Sequence, residues 1–95
     1  MTFEWDENKR LANLAKHRID FFDVITVFCD PCRLEKIDNR KDYGEVRTNT
    51  IGKLEDEIIV LVVHTDRNRK IRIISARQAK RKERDLYYGN SKLYK

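Results

Sequence analysis

The sequence predicts an α+β fold with two helices near the N-terminus, a three- to four-stranded antiparallel sheet and a closing C-terminal helix. Apolar residues recur at helical spacing before residue 30, and short β-branched runs separated by polar turns follow from residue 34. A serine–glutamine capping pattern then predicts the last helix. At 95 residues and 11.4 kDa the chain has the length for one core, so we expect a single domain over residues 1–95.

The first helix is predicted from about residue 7 to residue 16. A short strand at Phe3–Trp5 precedes it, and Asp6 is the expected N-cap, because its carboxylate can accept from the free N–H groups of the first turn. Apolar residues at positions i, i+3 and i+4 then place one apolar stripe on this helix, formed by Leu11, Leu14 and Ala15.

The second helix is predicted to begin after Asp20. Ile19 and Val24 occupy the two positions of a hydrophobic staple around this N-cap. An apolar stripe at i, i+3, i+4 and i+7 follows, formed by Phe21, Val24, Ile25 and Phe28. Asp30-Pro31 then ends the helix, because proline disfavours the helical conformation of the residue before it.

The middle of the chain predicts the sheet. A strand is expected at Leu34–Ile37, followed by a polar turn at 38–42 and a strand at about Glu45–Ile51 that has one polar face. Ile58–His64 is apolar without alternation, which is typical of a central strand covered on both sides. A polar turn then reverses the chain, so Lys70–Ser75 is predicted to pair antiparallel with this strand.

The last helix is predicted to start at the capping pattern of Ser75 and Gln78 and to stop at Gly89-Asn90. Its expected buried stripe contains Ala76, Ala79, Leu86 and Tyr87. Its expected basic ridge, at positions i, i+4 and i+7, contains Arg77, Arg81 and Arg84. Glu83 lies beside the apolar stripe, where a carboxylate needs a partner.

Positive charge is concentrated in one short stretch. The chain has 21 basic and 16 acidic residues, a net charge of +5 and a pI near 9.4. Residues 66–84 hold nine basic residues against Asp66 and Glu83, so the rest of the chain is slightly acidic. Such a field attracts polyanions, phosphate backbones above all, although a solvated basic helix face is the structural alternative.

Several classes of function are disfavoured by the sequence. The longest apolar run, Ile58–Val63, is far shorter than the roughly 20 residues of a membrane-spanning helix. The N-terminus has no signal-peptide pattern, so we expect a cytoplasmic protein with no membrane partner. Cys29 and Cys32 are then expected to be free thiols, because that compartment is reducing. Their C-x-x-C spacing is not expected to form a redox or zinc site, because the pair follows a helix and has no histidine pair nearby. We expect neither a metal nor a cofactor.

Five residues are candidates for catalysis of RNA transesterification without a metal. This reaction needs a base for the 2′-hydroxyl, an acid for the leaving 5′-oxygen and cations near the phosphorane. The groups that suit these roles are His17, Glu45, Arg72, Arg77 and Glu83. Arg72 and Arg77 flank Ser75, the predicted helix start, so guanidinium and N–H groups are expected around one anion.

Each candidate also has a structural alternative. His17, at the end of a helix, is consistent with an interaction with the helix dipole alone. Glu83 is equally consistent with an ion pair that fixes the last helix. His64 ends the most buried strand and is expected to pack in the core. Tyr87 and Tyr88 suit stacking on a base, but one of them is expected to be in the core.

The order and spacing of short motifs over nearly the whole chain resemble the BrnT toxin family. The residues that carry the resemblance are Phe3-Glu4-Trp5-Asp6, Asn8-Lys9, Asn13, Lys16-His17, Phe21, Val27-Phe28-x-Asp30-Pro31, Glu45-x-Arg47, Ile51-Gly52, the RIISAR string at 72–77, Ala79 and Glu83-Arg84-x-x-Tyr87. One position departs from the family pattern, which commonly has glycine where this chain has Arg18. Glycine at a helix end usually adopts a positive φ, so this departure bears on where the first helix ends.

The resemblance implies a RelE-like α+β fold and a type II toxin that cleaves RNA and inhibits translation. It also implies a BrnA-type antitoxin, which neutralises the toxin, supplies a ribbon-helix-helix element for operator DNA and forms a hetero-oligomer, expected to be a heterotetramer. The motif positions imply catalytic roles for the five residues named above. RNA-binding roles follow from these positions and from the basic stretch for Lys16, Arg47, Lys80, Arg81, Arg84 and Tyr87.

Three functions are therefore open. The first is a metal-independent endoribonuclease that leaves a 2′,3′-cyclic phosphate and a 5′-hydroxyl. The second is a non-catalytic basic module that binds nucleic acid. The third is a module that docks an acidic antitoxin segment and acts in operon autoregulation through that partner. We expect antitoxin binding to bury Arg72 or the basic residues between 77 and 84.

Overall fold

The computed structural model describes residues 1–39 and 44–92, so most of the polar turn predicted at 38–42 lies outside the described residues. The elements in chain order are β1 (Phe3–Glu4), α1 (Glu7–His17), α2 (Phe21–Val24), a 3₁₀ helix (Ile25–Cys29), β2 (Leu34–Ile37), β3 (Thr48–Lys53), β4 (Ile59–Arg67), β5 (Lys70–Gln78) and α3 (Arg81–Ser91). The α+β class predicted from the sequence is confirmed.

The five strands form one mixed sheet in the order β1-β5-β4-β3-β2. β2, β3, β4 and β5 pair antiparallel, as predicted. β1 instead pairs parallel with β5, and Glu4 lies beside Arg72. The sheet is therefore one strand wider than predicted and is not wholly antiparallel. The sequence did not predict this pairing, because a strand of two residues carries no local signal for its partner.

The ends of α1 follow from its capping residues. The Asp6 carboxylate accepts from the backbone N–H of Lys9, which confirms the predicted N-cap. At the other end Arg18 is left-handed, with a φ of 60°, and its N–H donates to the Leu14 carbonyl at 2.9 Å. Non-glycine residues rarely adopt this conformation. Arg18 thus ends the helix as a glycine would, and His17 keeps its place in the last turn.

The second helical segment is shorter than predicted. Asp20 accepts from the N–H of Phe22, so the predicted N-cap is confirmed. The α-helix, however, ends at Val24 and gives way to the 3₁₀ helix Ile25–Cys29. The β-branched residues at 24–27 explain this change, because such side chains are restricted in an α-helix.

The last helix starts later than predicted. Ser75–Gln78 continues β5, since Ala76 and Arg77 pair with β4, so the predicted helix start was wrong. The hydrogen bonds of the sheet determine the structure of these residues, although their sequence also fits a helix cap. α3 begins after Lys80, whose N–H donates to the Glu83 carboxylate at 2.7 Å.

The predicted end of the last helix was also wrong. α3 continues through Gly89 and Asn90 to Ser91. The Asn90 side chain donates to the Cys32 carbonyl at 3.0 Å, a bond to another part of the fold that holds the last turn in place. This tertiary contact offsets the low helix propensity of glycine and asparagine.

A bulge in β5 places Arg72 and Arg77 on the same face of the sheet. The register shifts between Val63 and His64, so Ile74 has no counterpart in β4. One extra residue moves the alternation of side chains by one position. Without it, two residues separated by five positions would point to opposite faces.

The helices cover the two faces of the sheet unequally. The first face packs against α1, α2 and the 3₁₀ helix around a core of Ile19, Phe21, Val24, Val27, Phe28, Leu54, Val60, Val62, Ile73 and Ala76. On the second face α3 packs over a smaller cluster, formed by Ile59, Ala79 and Tyr87. In the part of the chain that the structure describes, the rest of the second face has no helix over it.

Three further findings concern cysteines, metal ligands and membranes. Cys29 and Cys32 are both free, as predicted. Among residues 1–39 and 44–92, no three His, Cys, Asp or Glu side chains are grouped so that they could hold a metal ion. None of the helices in this described part is long and apolar enough to cross a membrane.

Candidate active site on the second face of the sheet

A cavity opens on the second face of the sheet, where α1, β5 and α3 meet. Its volume is about 370 Å³, which lies within the range of small-ligand sites. The residues that line it are His17, Asn49, Leu61, Val63, Ser75, Ala76, Arg77 and Glu83. Three of the five predicted catalytic residues therefore share one cavity.

His17 reaches this cavity because Asn13 fixes α1 against the edge of β5. β1 covers only the first part of that edge. Further along, the Asn13 carboxamide replaces a neighbouring strand: Oδ1 accepts from the Ala76 N–H at 3.1 Å, and Nδ2 donates to the Ala76 carbonyl at 2.9 Å. Nδ2 also donates to the Ile19 carbonyl at 3.0 Å. His17 follows Asn13 by one helical turn, on the same side of α1.

Arg77 and Glu83 form a bidentate ion pair between β5 and the first turn of α3. Nη1 donates to Oε1 at 2.8 Å and Nη2 donates to Oε2 at 2.9 Å. These bonds are the main cause that lowers the pKa of Glu83, burial opposes them, and the N–H of Lys80 adds to the lowering. Glu83 is therefore ionised near neutral pH and holds Arg77 in place.

The ion pair leaves one side of the Arg77 guanidinium available. Nη1 also donates to the Gln78 carbonyl at 3.2 Å, so both of its N–H groups are used. Among the described residues, Nε–H and the second N–H of Nη2 have no acceptor. These two groups point the same way, which is the arrangement that binds two oxygens of a phosphate. Arg77 can thus bind a phosphodiester without releasing Glu83.

Arg72 lies on the same face but does not line the cavity. Its Nη1 is 3.8 Å from Oε1 of Glu4, which is an ion pair without a hydrogen bond. Five positions along a strand separate the Cα atoms of Arg72 and Arg77 by roughly 15 Å. The expectation that both arginines surround one anion depended on a helix start at Ser75, and β5 continues through that position.

Glu45 and Arg47 belong to a different group of charges. Arg47 donates to Glu45 at 3.0 Å, and Arg67 lies 3.6 Å from the same carboxylate. Both residues precede β3, which begins three positions later than predicted, at Thr48. The carbonyl of Val46 accepts from the hydroxyl of Thr65 at 2.6 Å, a side-chain bond in place of a ladder bond. These two candidates are therefore together, but not with His17.

The predicted basic ridge of the last helix is not formed, because Arg77 lies on β5 and not on α3. Lys80, Arg81 and Arg84 are exposed around the start of α3, and Lys16 is exposed beside His17. Arg84 also donates to the carbonyl of Ala79 at 2.7 Å. The positive charge thus lies on two elements that each contribute a residue to the cavity, His17 from α1 and Glu83 from α3.

Tyr87 is a core residue, whereas Tyr88 is exposed. The Tyr87 ring is 2% exposed, and its hydroxyl donates to Asp30 at 2.6 Å. Burial, together with the Asp30 carboxylate, raises the pKa of Tyr87. The ring offers no free face to a base in this conformation, and it anchors α3 to the loop before β2.

His64 packs in the core, as predicted. Its Nε2 is 2.7 Å from the hydroxyl of Thr50, and its ring packs edge-on against Phe28. Burial lowers the pKa of His64. Of the two histidines, His17 is therefore the one that lines a cavity.

Two polar residues of the cavity, Asn49 and Ser75, were not predicted as functional. The Asn49 Oδ1 atom is buried and has no hydrogen-bond partner among the described residues. Buried polar atoms are rarely left in this state. The sequence signal for Asn49 was its position on the polar face of the predicted strand Glu45–Ile51. Ser75 was missed because it was predicted to be a helix N-cap.

Comparison with known proteins identifies the family. The family model described as "Ribonuclease toxin, BrnT, of type II toxin-antitoxin system" matches residues 5–83. The chain belongs to the BrnT family. The resemblance stated from the sequence motifs is therefore confirmed, and the family is one of ribonuclease toxins of type II toxin-antitoxin systems.

A solved structure gives the same answer. The crystal structure of the Brucella abortus ribonuclease toxin, BrnT, is similar to this chain, with a TM-score of 0.65 and 31% sequence identity. The similarity covers 85% of this chain and 99% of that chain. No curated protein matched the sequence. The fold described above is thus a BrnT fold.

Proposed function

We propose that this chain is a metal-independent endoribonuclease whose active site is the cavity that contains His17, Arg77 and Glu83. The observation that carries the proposal is an imidazole in the same cavity as a guanidinium with a free fork for phosphate. In the reaction, the ribose 2′-hydroxyl attacks the adjacent phosphorus and the bond to the 5′-oxygen breaks. The products carry a 2′,3′-cyclic phosphate and a 5′-hydroxyl.

Each residue of the cavity has a distinct role in this proposal. His17 transfers protons, because imidazole suits proton exchange near neutral pH. Arg77 stabilises the charge that grows on the phosphorane, which is usually the larger contribution. Glu83 positions Arg77. Arg72 and Arg47, which lie outside the cavity, contact the RNA strand away from the reacting bond, and Glu45 positions Arg47 through their ion pair.

The basic surface supports a role in RNA binding. Lys16, Lys80, Arg81 and Arg84 attract the phosphate backbone, and this attraction weakens as salt concentration rises. Tyr87 supports the site from the core. We further infer that the chain inhibits translation in the cytoplasm as a single RelE-like domain.

We also infer a BrnA-type antitoxin as the partner. It covers Arg72 or the basic residues between 77 and 84, forms a heterotetramer with the toxin and binds operator DNA through a ribbon-helix-helix element. Membership of a type II toxin-antitoxin family supports an antitoxin partner. A toxin is silenced most directly when the surface that it uses is covered.

The test is cleavage of single-stranded and ribosome-bound RNA by the purified chain in the presence of EDTA. We expect 5′-hydroxyl and 2′,3′-cyclic phosphate ends, and about a 10²-fold or larger loss of rate for His17→Ala. Lys16→Ala is the comparison variant, because it removes one phosphate-attracting charge from the same helix end and leaves the imidazole; its loss of rate should be much smaller than that of His17→Ala.

Two results would contradict the proposal. Intact RNA in both free and ribosome-bound form would exclude the ribonuclease. RNA that binds tightly but is never cleaved would instead favour the non-catalytic binding module.

A further inference from the structure

A second cavity adjoins the candidate active site. It lies between β2, β3 and α3, has a volume of about 380 Å³ and is mostly apolar. It shares Asn49, Leu61 and Glu83 with the active-site cavity. The groove is therefore next to the place where Arg77 would hold a phosphate.

Apolar side chains of the groove come both from the strands and from α3. The strands contribute Leu34, Ile51 and Leu61, and α3 contributes Leu86. Leu86 is 62% exposed although it is a large apolar residue, so it costs free energy in the isolated chain. Nucleobases that leave their stack are held between apolar or aromatic side chains in this way.

Asn49 supplies a polar group to the mostly apolar groove. It lines both cavities, and its buried Oδ1 has no hydrogen-bond partner among the described residues. An acceptor without a donor in a buried site loses free energy until a ligand supplies the donor. Amine-bearing bases supply such a donor, and a carboxamide pairs with adenine at both N6 and N7.

We infer that this groove is a nucleobase subsite, in which Asn49 accepts a hydrogen bond from the amine of a base next to the cleaved phosphodiester, with adenine as the best match. The inference rests on the proposed ribonuclease function and specifies its substrate. A nucleotide fits the two cavities, because it joins a ring to an anion: the mostly apolar groove, whose lining also includes Glu35 and Lys36, adjoins the cavity that Arg77 lines.

The experiment maps the cut sites in cellular RNA after induced expression, by sequencing of RNA with 5′-hydroxyl ends. Asn49→Leu keeps the shape of the side chain and removes its acceptor, whereas Leu86→Ala removes one wall of the groove. Leu11→Ala is the matched control, because Leu11 is also an exposed leucine on a helix and lines neither cavity.

For the wild type we expect enrichment of adenine at one of the two positions that flank the cut. Asn49→Leu and Leu86→Ala should each reduce this enrichment by about three- to tenfold, the value of one hydrogen bond or of one lost contact surface. Leu11→Ala should leave it unchanged. In purified form, the wild type should cleave an oligonucleotide that contains adenine faster than one that contains unsubstituted purine at the same position, because unsubstituted purine lacks the amine. Asn49→Leu should cleave both equally.

Thermal unfolding of each variant is the control for loss of folding. Asn49→Leu removes an oxygen that has no partner, so its Tm should equal or exceed that of the wild type. A fall in base enrichment together with an unchanged or higher Tm supports the subsite and excludes a merely structural role. Leu86 is exposed, so its variant gives an answer even where Asn49→Leu fails to fold.

Three outcomes would overturn the inference. Unchanged enrichment in both variants excludes the subsite while leaving the ribonuclease intact. Loss of neutralisation by the co-expressed antitoxin in Leu86→Ala, with unchanged cut sites, assigns the groove to a protein segment. No new 5′-hydroxyl ends with the wild type would refute the proposed function itself, and the subsite with it.

Discussion

Arg72 and Arg77 of β5 have equivalent predicted roles in the sequence, but their pairs with glutamate differ in the structure. Arg72 pairs with Glu4 and Arg77 with Glu83, and all four side chains are partly buried. The Arg77 pair is bidentate, with both contacts below 3.0 Å, whereas the Arg72 pair is a single contact at 3.8 Å. A histidine shares a cavity with Arg77, but that cavity does not include Arg72.

The elements that flank β5 cause this difference. At the Arg77 end, Asn13 holds α1 against the strand, and Tyr87 holds α3 against the sheet. At the Arg72 end, the neighbour is the two-residue strand β1. An arginine on this strand therefore belongs to the site only where the neighbouring helices bring other site residues to it; its own sequence motif does not decide this.

The largest expected effect is a difference between Arg77→Lys and Arg72→Lys. Lysine keeps the charge but cannot donate two parallel N–H groups. We expect Arg77→Lys to lower kcat/KM for RNA cleavage by about 10²- to 10³-fold, the loss typical of one transition-state donor. Arg72→Lys should stay within about threefold, because lysine keeps the charge and a single phosphate contact away from the reacting bond contributes little. Equal losses would show that both pairs belong to the active site.

The next effect concerns Asn13, which holds the His17 end of α1. Asn13→Ala leaves buried N–H and carbonyl groups of Ala76 and the Ile19 carbonyl without partners. We expect it to lower the free energy of unfolding by about 2–3 kcal/mol, measured by urea denaturation. Asn8→Ala, at an exposed position of the same helix, is the control and should cost less than about 0.5 kcal/mol. A cost for Asn13→Ala as small as that of the control would mean that α1 is held by other contacts.

Tyr87→Phe tests the anchor of α3 and should cost about 1–2 kcal/mol, because it removes a hydrogen bond to a carboxylate. The raised pKa of Tyr87 gives the pH dependence: folding favours the neutral phenol, so its contribution is complete below the ordinary pKa of 10.0 and is lost as the pH rises above that value. Alkaline unfolding should therefore be less steep in Tyr87→Phe than in Tyr88→Phe. Identical alkaline profiles would contradict the role given to Tyr87.

The smallest effect is expected for Glu83→Gln, which keeps the shape of the side chain and removes its charge. The lowered pKa of Glu83 means that its ion pair stabilises the fold above the ordinary pKa of 4.5 and ceases to do so as the pH falls below it. We expect the loss at neutral pH to be at most about 1 kcal/mol, because the pair is partly exposed. Tm measured between pH 3 and pH 7 checks this; a slope as steep as that of the wild type would exclude Glu83 as its source.

Much of the fold was predictable because local signals and tertiary structure agree. The N-caps Asp6 and Asp20 and the central apolar strand were predicted from residues that act within one helical turn or one strand. The pairing of β1 and the start of α3 were not. Ser75 and Gln78 carry a valid capping pattern, but partners distant in sequence, such as Asn13 at Ala76, decide the structure there.

The candidate site was predictable by residue type and not by position. His17, Arg77 and Glu83 were selected for their chemistry, and the structure brings them together. Glu45 has the same chemistry as Glu83, and Arg72 has the same chemistry as Arg77. Nothing in the local sequence of Glu45 or Arg72 shows that they lie outside the cavity. Asn49 was missed, because an unpartnered oxygen is a property of the folded chain.

The bulge at Ile74 has a consequence for variation in length. Many apolar residues suit position 74, but deleting it would rotate Arg72 from the solvent-facing surface into the hydrophobic layer beneath the sheet. Related toxins should therefore exchange the amino acid at this position freely while keeping the number of residues between the two arginines constant.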